Sequence, residues 1–268
     1  MELKIYNKKA EEQGKKTLPQ QFNEAVRPYL IKRAVMAFMA NNRQPYGAHP
    51  EAGLRASADL SKKRRKYRGS YGKGISRVPR KIMTRRGTQL NWTAAEIPGV
   101  VGGRRAHPPK AEKIWDQKVN TKEKKKAIRS ALAATLDKAL VEKRSHVIPK
   151  SYPFIFSKDL EDVSKLKELR EMLVKLGFDK ELERLDKKNI RAGKGKARSR
   201  LYKKPRGMLI VTSKYCALSR AARNIPGVEV KSIRTLNAED LAPGCHAGRL
   251  TMFTENALDV MKDNKLFS

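Results

Sequence analysis

Apolar residues recur along this chain with two different periods, and one long stretch follows neither. Glu2 to Tyr6 alternates polar and apolar side chains, the signature of a half-buried strand. From about Pro19 to Asn42 the spacing is helical, with Val26, Tyr29, Leu30, Arg33 and Ala37 on one side and Val35, Phe38 and Met39 broadening the apolar face. Pro19 and Pro28 suit first-turn positions, so two helices in tandem are predicted, ended by Asn41, Asn42 and Pro45. Asn120 and Thr121 are placed to cap a helix running to about Arg144 that buries Ile128, Leu132, Thr135, Leu136 and Leu140. A further helix, Asp159 to Leu176, carries Leu160, Val163, Leu166, Leu169, Leu173 and Leu176 at three- and four-residue spacing. Asp159, Glu161 and Asp162 favour its positive end and Gly177 stops it. A short helix, Lys180 to Lys187, follows.

Beyond Arg206 strand and helix alternate: Met208–Thr212, Ala217–Asn224, Val228–Ile233, a turn capped by Asn237, Leu250–Phe253 and Glu255–Lys262. That alternation indicates parallel βαβ units. The predicted fold class is therefore α/β, a three-layer body with a small, mostly parallel central sheet and helices on both faces.

Residues 43–110 break the pattern. Seventeen Lys and Arg there face only Glu51, Asp59 and Glu96, a net charge of +14, and nine Gly and six Pro accompany only ten Leu, Ile, Val, Met or Phe. Such a segment buries too little apolar surface to fold alone. Segments this long inside compact domains are usually functional or disordered. The expected organisation is a globular body, residues 1–42 and 111–268, interrupted by a long extended irregular loop, residues 43–110. A second basic tract, Lys187 to Arg206, has no acidic residue at all.

Over 268 residues, 61 Lys and Arg outnumber 27 Asp and Glu, a formal charge of +34. No run approaches the ~18–20 apolar residues of a membrane span. The N-terminus lacks a secretory pattern, and Cys216 and Cys245 are too few for a disulfide framework. A cytosolic protein with a polyanionic partner is expected, nucleic acid being the abundant one.

Other chemistries find little support. Gly69-Ser-Tyr-Gly72-Lys-Gly74 has the wrong order for a dinucleotide loop and sits in Arg-rich coil, and Gly193-Lys-Gly195-Lys lacks both the spacer and the Ser or Thr of a phosphate loop. Cys245-His246 has no second ligand pair, and His49, His107 and His146 read as isolated polar residues. The two cysteines read as buried, inert thiols. Asp159, Glu161, Asp162, Glu168, Glu171, Glu181, Glu183 and Asp186 interleave with lysines as a solvated face does. No enzyme, metal or cofactor is expected.

The basic tracts carry the signal. Arg64, Arg65, Lys66 and Arg68, then Lys73, Arg77, Arg80, Arg85, Arg86, Arg104 and Arg105, are separated by Gly and Pro rather than Glu, and Tyr46, Tyr67, Tyr71 and Trp92 interleave with them. Guanidinium forks bridging phosphates, with rings stacking on unpaired bases, suit folded RNA. An RNA-modifying enzyme would need a cofactor-binding strand-to-helix turn, and a DNA compactor would favour Lys-rich tails.

Three ordered motifs, Tyr67-Arg-Gly-Ser-Tyr-Gly-Lys-Gly-Ile-Ser-Arg-Val-Pro-Arg80, Gly102-Gly-Arg-Arg-Ala-His-Pro-Pro109 and Arg191-Ala-Gly-Lys-Gly-Lys-Ala-Arg-Ser-Arg200, make the chain recognisable. It resembles the universal large-subunit ribosomal protein four family, in its archaeal and eukaryotic branch, over essentially its whole length. The resemblance implies a structural protein of the large ribosomal subunit, cytoplasmic and not a homo-oligomer, that binds large-subunit rRNA and supports early assembly. It also implies an extended loop driven into rRNA, whose tip lines the nascent-peptide exit tunnel. Implied rRNA contacts are Arg64, Arg65, Lys66, Arg68, Tyr71, Lys73, Arg77, Arg80, Arg85, Arg86, Trp92, Arg104 and Arg105 in the loop, and Arg191, Lys194, Lys196, Arg198 and Arg200 on the body. Met83, Thr84, Gly87, Thr88 and Gln89 are the implied tip. Neighbouring ribosomal proteins and the nascent peptide would be the other partners.

Overall fold

A computed structural model describes residues 1–268, which divide into two compact units, Met1–Asn42 with Asp116–Ser268, and Arg43–Trp115. In chain order the elements are β1 (Glu2–Tyr6), β2 (Glu12–Thr17), α1 (Pro28–Asn41), β3 (Ala58–Asp59), β4 (Arg80–Arg86), β5 (Gln89–Ala94), α2 (Thr121–Leu136), α3 (Lys138–Lys143) and β6 (Ile155–Phe156). There follow α4 (Leu166–Lys175), α5 (Asp179–Asp186), β7 (Asn189–Ile190), β8 (Tyr202–Lys203), β9 (Leu209–Thr212), α6 (Ala217–Ala222), β10 (Glu229–Ser232), α7 (Ala238–Leu241), β11 (Thr251–Thr254) and α8 (Glu255–Asp263).

The first unit is the α/β body. Its sheet runs β10-β9-β11-β6-β1-β2, parallel except for β2, which returns antiparallel to β1 at the edge. Side chains alternate between the faces. Leu3, Ile5, Ile155, Leu209, Val211 and Phe253 meet α1, α2, α7 and α8 on one side. On the other side, Phe156, Met208, Ile210 and Met252 meet α3 to α6. Two apolar layers around one sheet make the predicted three-layer sandwich.

Several boundaries differ from the sequence pattern, each for a local reason. The tandem helix before Pro28 is a single 3-10 turn, Gln20–Asn23. α1 buries Ile31, Ala34, Val35 and Ala37, leaving exposed Val26, Tyr29 and Arg33, which the spacing placed on one side with Ala37, and Met39, which it placed on the apolar face. The helix expected through Arg144 breaks at Asp137, whose carboxylate accepts from the Ala139 N–H at 3.0 Å and starts α3. The helix expected from Asp159 begins as a 3-10 turn, Lys158–Asp162, and restarts at Leu166. β2 was missed because all six of its residues, Glu12 to Thr17, are polar or Gly, as an edge strand tolerates. The thiols expected to be buried are only half-buried.

Two carboxylates read as solvated are buried. Glu161 accepts from the Ser213 N–H (2.9 Å), Ser213 Oγ (2.7 Å) and Thr254 Oγ1 (2.6 Å), just past the C-terminal ends of β9 and β11. Burial pushes its carboxyl up, but these bonds outweigh it and hold it below the usual range. Ligands of open parallel sheets bind in that crevice. Here the protein's own anion occupies it.

Glu181 accepts from His146 Nδ1 (2.8 Å), the Val147 N–H (3.0 Å), and Arg184 Nε (2.8 Å) and Nη2 (2.6 Å), so His146 is paired rather than isolated. Burial pushes the His146 ring below its ordinary 6.5 despite the opposing pull of Glu181, and Arg184 and Arg144 add to the fall. Burial would raise the Glu181 carboxyl, but the bonds from Arg184, His146 and Val147 hold it low. Both groups therefore bind protons more readily unfolded than folded, and acid favours unfolding. The His146 contribution is full above pH 6.5 and is lost as pH falls below it toward the folded value. His146→Gln is expected to flatten the pH dependence of denaturant midpoints as pH falls below 6.5. An unchanged profile would show that the ring does not titrate differently on folding.

Candidate nucleic-acid interface

The ion pairs of this protein all belong to the body. In the Arg43–Trp115 unit, eighteen Lys and Arg accompany Glu51, Asp59, Glu96 and Glu112, and none of them pairs. Ala95 is the one buried apolar side chain there, so the unit has almost no core of its own. It is nevertheless not wholly irregular, as the sequence had suggested. β3, β4 and β5 form a three-stranded antiparallel sheet.

The β4–β5 hairpin closes with Arg86 opposite Gln89, leaving Gly87 and Thr88 as a two-residue turn. Gly87 has φ 56°, the sign that a primed hairpin turn puts at its first central residue, and it favours glycine there. The register slips between Ile82 and Thr84, so Met83 is a bulge. Because of it, Arg80, Ile82 and Arg85 share one face with Leu90, Trp92 and Ala94, while Lys81, Thr84 and Arg86 share the other with Gln89, Asn91 and Thr93. Met83, Thr84, Gly87, Thr88 and Gln89 are all exposed around the turn.

The Lys62–Arg68 tract is a closed loop. The Ser70 N–H donates to the Ser61 carbonyl (3.0 Å) and the Gly69 N–H to the Lys66 carbonyl (2.9 Å). A Cβ on Gly69 would lie 2.9 Å from the Lys66 oxygen and 3.0 Å from the Lys63 oxygen, so only glycine closes the loop without a shift. Arg64, Arg65 and Lys66 are displayed on it, with Arg65 and Arg68 in left-handed conformations. The Tyr67 hydroxyl donates to the Thr88 carbonyl at 3.3 Å, bringing this loop and the hairpin turn together.

The aromatic side chains meet cations of their own chain. Arg77 lies 4.4 Å from the Tyr71 centroid, and Lys73 and Arg80 lie 5.5 and 5.7 Å from that of Trp92. Arg104 and Arg105 belong to another part of the unit, where a Cβ on Gly53 would lie 2.7 Å from the Arg104 backbone. The sequence reading missed a cluster at the unit's two ends: Tyr46 stacks on Trp115 at 6.0 Å, with Arg43 3.8 Å and Lys113 4.3 Å from the Trp115 ring. Basic and aromatic residues lie within three positions of each other at both ends, which was the available signal.

On the body, Arg191 to Arg200 loops between β7 and β8. The Arg198 and Arg200 N–H groups both donate to the Gly195 carbonyl at 3.1 Å, and Gly193 takes φ 78°. Lys194, Lys196, Arg198 and Arg200 are exposed and unpaired. Arg191 differs, because its Nε and Nη2 donate to the Arg200 and Tyr202 carbonyls at 3.1 and 3.4 Å and fasten the ribbon. Lys196 opens only a three-residue 3-10 turn, so Gly193–Lys196 is no phosphate loop.

The model of the ribosomal protein L4/L1 family matches residues 16–264. The chain belongs to this family. "Large ribosomal subunit protein uL4" of Nanoarchaeum equitans is 48% identical over 268 residues, all of both chains. The protein of the same name from Archaeoglobus fulgidus is 41% identical over 262 residues, 97% of this chain and 98% of its own. That of Methanococcoides burtonii is 44% identical over 250 residues, 93% of each. As an L4/L1 family member the chain is a structural ribosomal protein and not an enzyme. Its Gly-rich segments lie in coil and its sheet crevice is filled by Glu161. No helix is long and apolar enough to cross a membrane.

Proposed function

We propose that this protein binds large-subunit rRNA within the large ribosomal subunit, supports the early folding of that RNA, and lines the nascent-peptide exit tunnel with its hairpin tip. The observation that carries the reading is the set of eighteen unpaired Lys and Arg in a unit with almost no core. Such a surface is self-repelling until a polyanion neutralises it. Arg64, Arg65, Lys66, Arg68, Lys73, Arg77, Arg80, Arg85, Arg86, Arg104 and Arg105 take phosphates, and Tyr71 and Trp92 stiffen the array through their cation contacts. Lys194, Lys196, Arg198 and Arg200 form the body's contact, with Arg191 as its brace. Met83, Thr84, Gly87, Thr88 and Gln89 face the emerging peptide, beside a neighbouring ribosomal protein. The globular body, residues 1–42 and 111–268, remains outside the RNA that surrounds residues 43–110.

Sedimentation of native lysate tests this. The protein is expected to stay with the large subunit through a high-salt wash and to be released by ribonuclease. Release by salt alone would make it a peripheral binder and remove the embedded unit from the proposal.

A further inference from the structure

Between Asp186 and Glu229 the chain carries no acidic residue. The small ribbon inside that stretch nevertheless presents carbon on one of its faces. Ile190 and Tyr202 pair directly across β7 and β8, which places them on the same face, and they are 69% and 51% exposed. Lys188, two residues before Ile190, holds its ammonium 5.9 Å from the Tyr202 ring centroid. The ribbon is braced by Arg191, whose guanidinium holds the Arg200 and Tyr202 carbonyls.

We infer that the Ile190–Tyr202 face of this ribbon is a stacking platform for an unpaired RNA base. The inference rests on the rRNA reading above and adds a base contact where only phosphate contacts were expected. An exposed aromatic ring beside an aliphatic side chain offers a base two flat or smooth surfaces. Lys187, Lys188, Arg200, Lys203 and Lys204 all lie within three residues of Ile190 or Tyr202, a density of charge that suits the phosphates on either side of that base. An acidic protein segment would satisfy the cations, but a nucleotide satisfies the cations and the ring together. The brace fixes the backbone that carries the ring before binding, which reduces the ordering cost of the contact.

The test uses the full-length protein and purified large-subunit rRNA, with affinity measured across a range of salt. Tyr202→Ala and Tyr202→Leu are each expected to weaken binding about tenfold, the order of one lost base stack. The slope against salt should stay unchanged, because no charge is removed. Tyr202→Phe should bind like the parent. Tyr202→Leu keeps apolar volume, so its loss reports the ring rather than a collapsed ribbon. Ultraviolet crosslinking of the parent complex should attach RNA at Tyr202. Affinity of the Ala and Leu variants within twofold of the parent would overturn the platform, as would RNA crosslinks elsewhere in the tract with none at Tyr202. A parent protein that prefers duplex DNA to rRNA would instead overturn the underlying RNA reading.

Discussion

Replacing residues 62–92 by a short glycine–serine linker is expected to flatten the salt dependence of rRNA binding while leaving the body folded. Twelve Lys and Arg lie in that segment. Each phosphate contact contributes about 0.7–0.9 to the slope of log affinity against log salt, so the slope should fall by as much as about 8–11 if every one is in contact. At low salt that amounts to several orders of magnitude in affinity. The body should not notice. None of the protein's buried apolar side chains lies within 62–92, and a shorter connection costs slightly less to close. The melting temperature is therefore expected to hold or rise a little. An unchanged slope would show that the displayed cations do not meet RNA, whatever else they do.

Glu181→Ala is expected to destabilise the body by about 3–5 kcal/mol, the usual cost of removing one partner from a buried charged network. The side chain of Glu181 is 0% exposed and gathers donors from His146, Val147 and Arg184. Its loss leaves the Val147 N–H without a partner, the His146 Nδ1 with only Arg184 Nη2 at 3.2 Å, and Arg184 with that ring and the Arg206 carbonyl at 2.9 Å. Against a typical total of about 5–15 kcal/mol this is a large fraction. Denaturant unfolding at pH 7 measures it, and Glu181→Gln, which keeps an acceptor, should fall between Ala and the parent. A loss below about 1 kcal/mol for Ala would mean the network is satisfied by solvent instead.

The parallel strands were legible because Leu209–Val211 and Met252–Phe253 are apolar on both faces, which the sequence records as short continuous runs followed by helical spacing. The basic unit was legible as charge, but its hairpin was not. Met83 interrupts the alternation of β4, and a pattern that changes phase in mid-strand reads as no pattern at all. Glu161, Glu181 and His146 were misread for a different reason. Ser213 and Thr254 come to Glu161, and His146 and the Val147 N–H to Glu181, only through the fold, and spacing on one helix says nothing about the element packed against it. The Tyr67–Thr88 bond, 21 residues apart, lay beyond any local signal.

The bulge at Met83 also makes the hairpin's chemistry a matter of chain length. Met83 lies outside the ladder, so deleting it leaves every cross-strand partner where it is. Adding or removing one residue in β5 between Leu90 and Trp92 shifts the register by one, and a one-residue slip exchanges the two faces of a strand. The all-polar face that carries Thr84, Arg86, Gln89 and Asn91 would then be mixed with Leu90 or Trp92. Length variants of this hairpin should thus fall into two groups, silent at one position and disruptive a few residues away, although the number of residues gained or lost is the same.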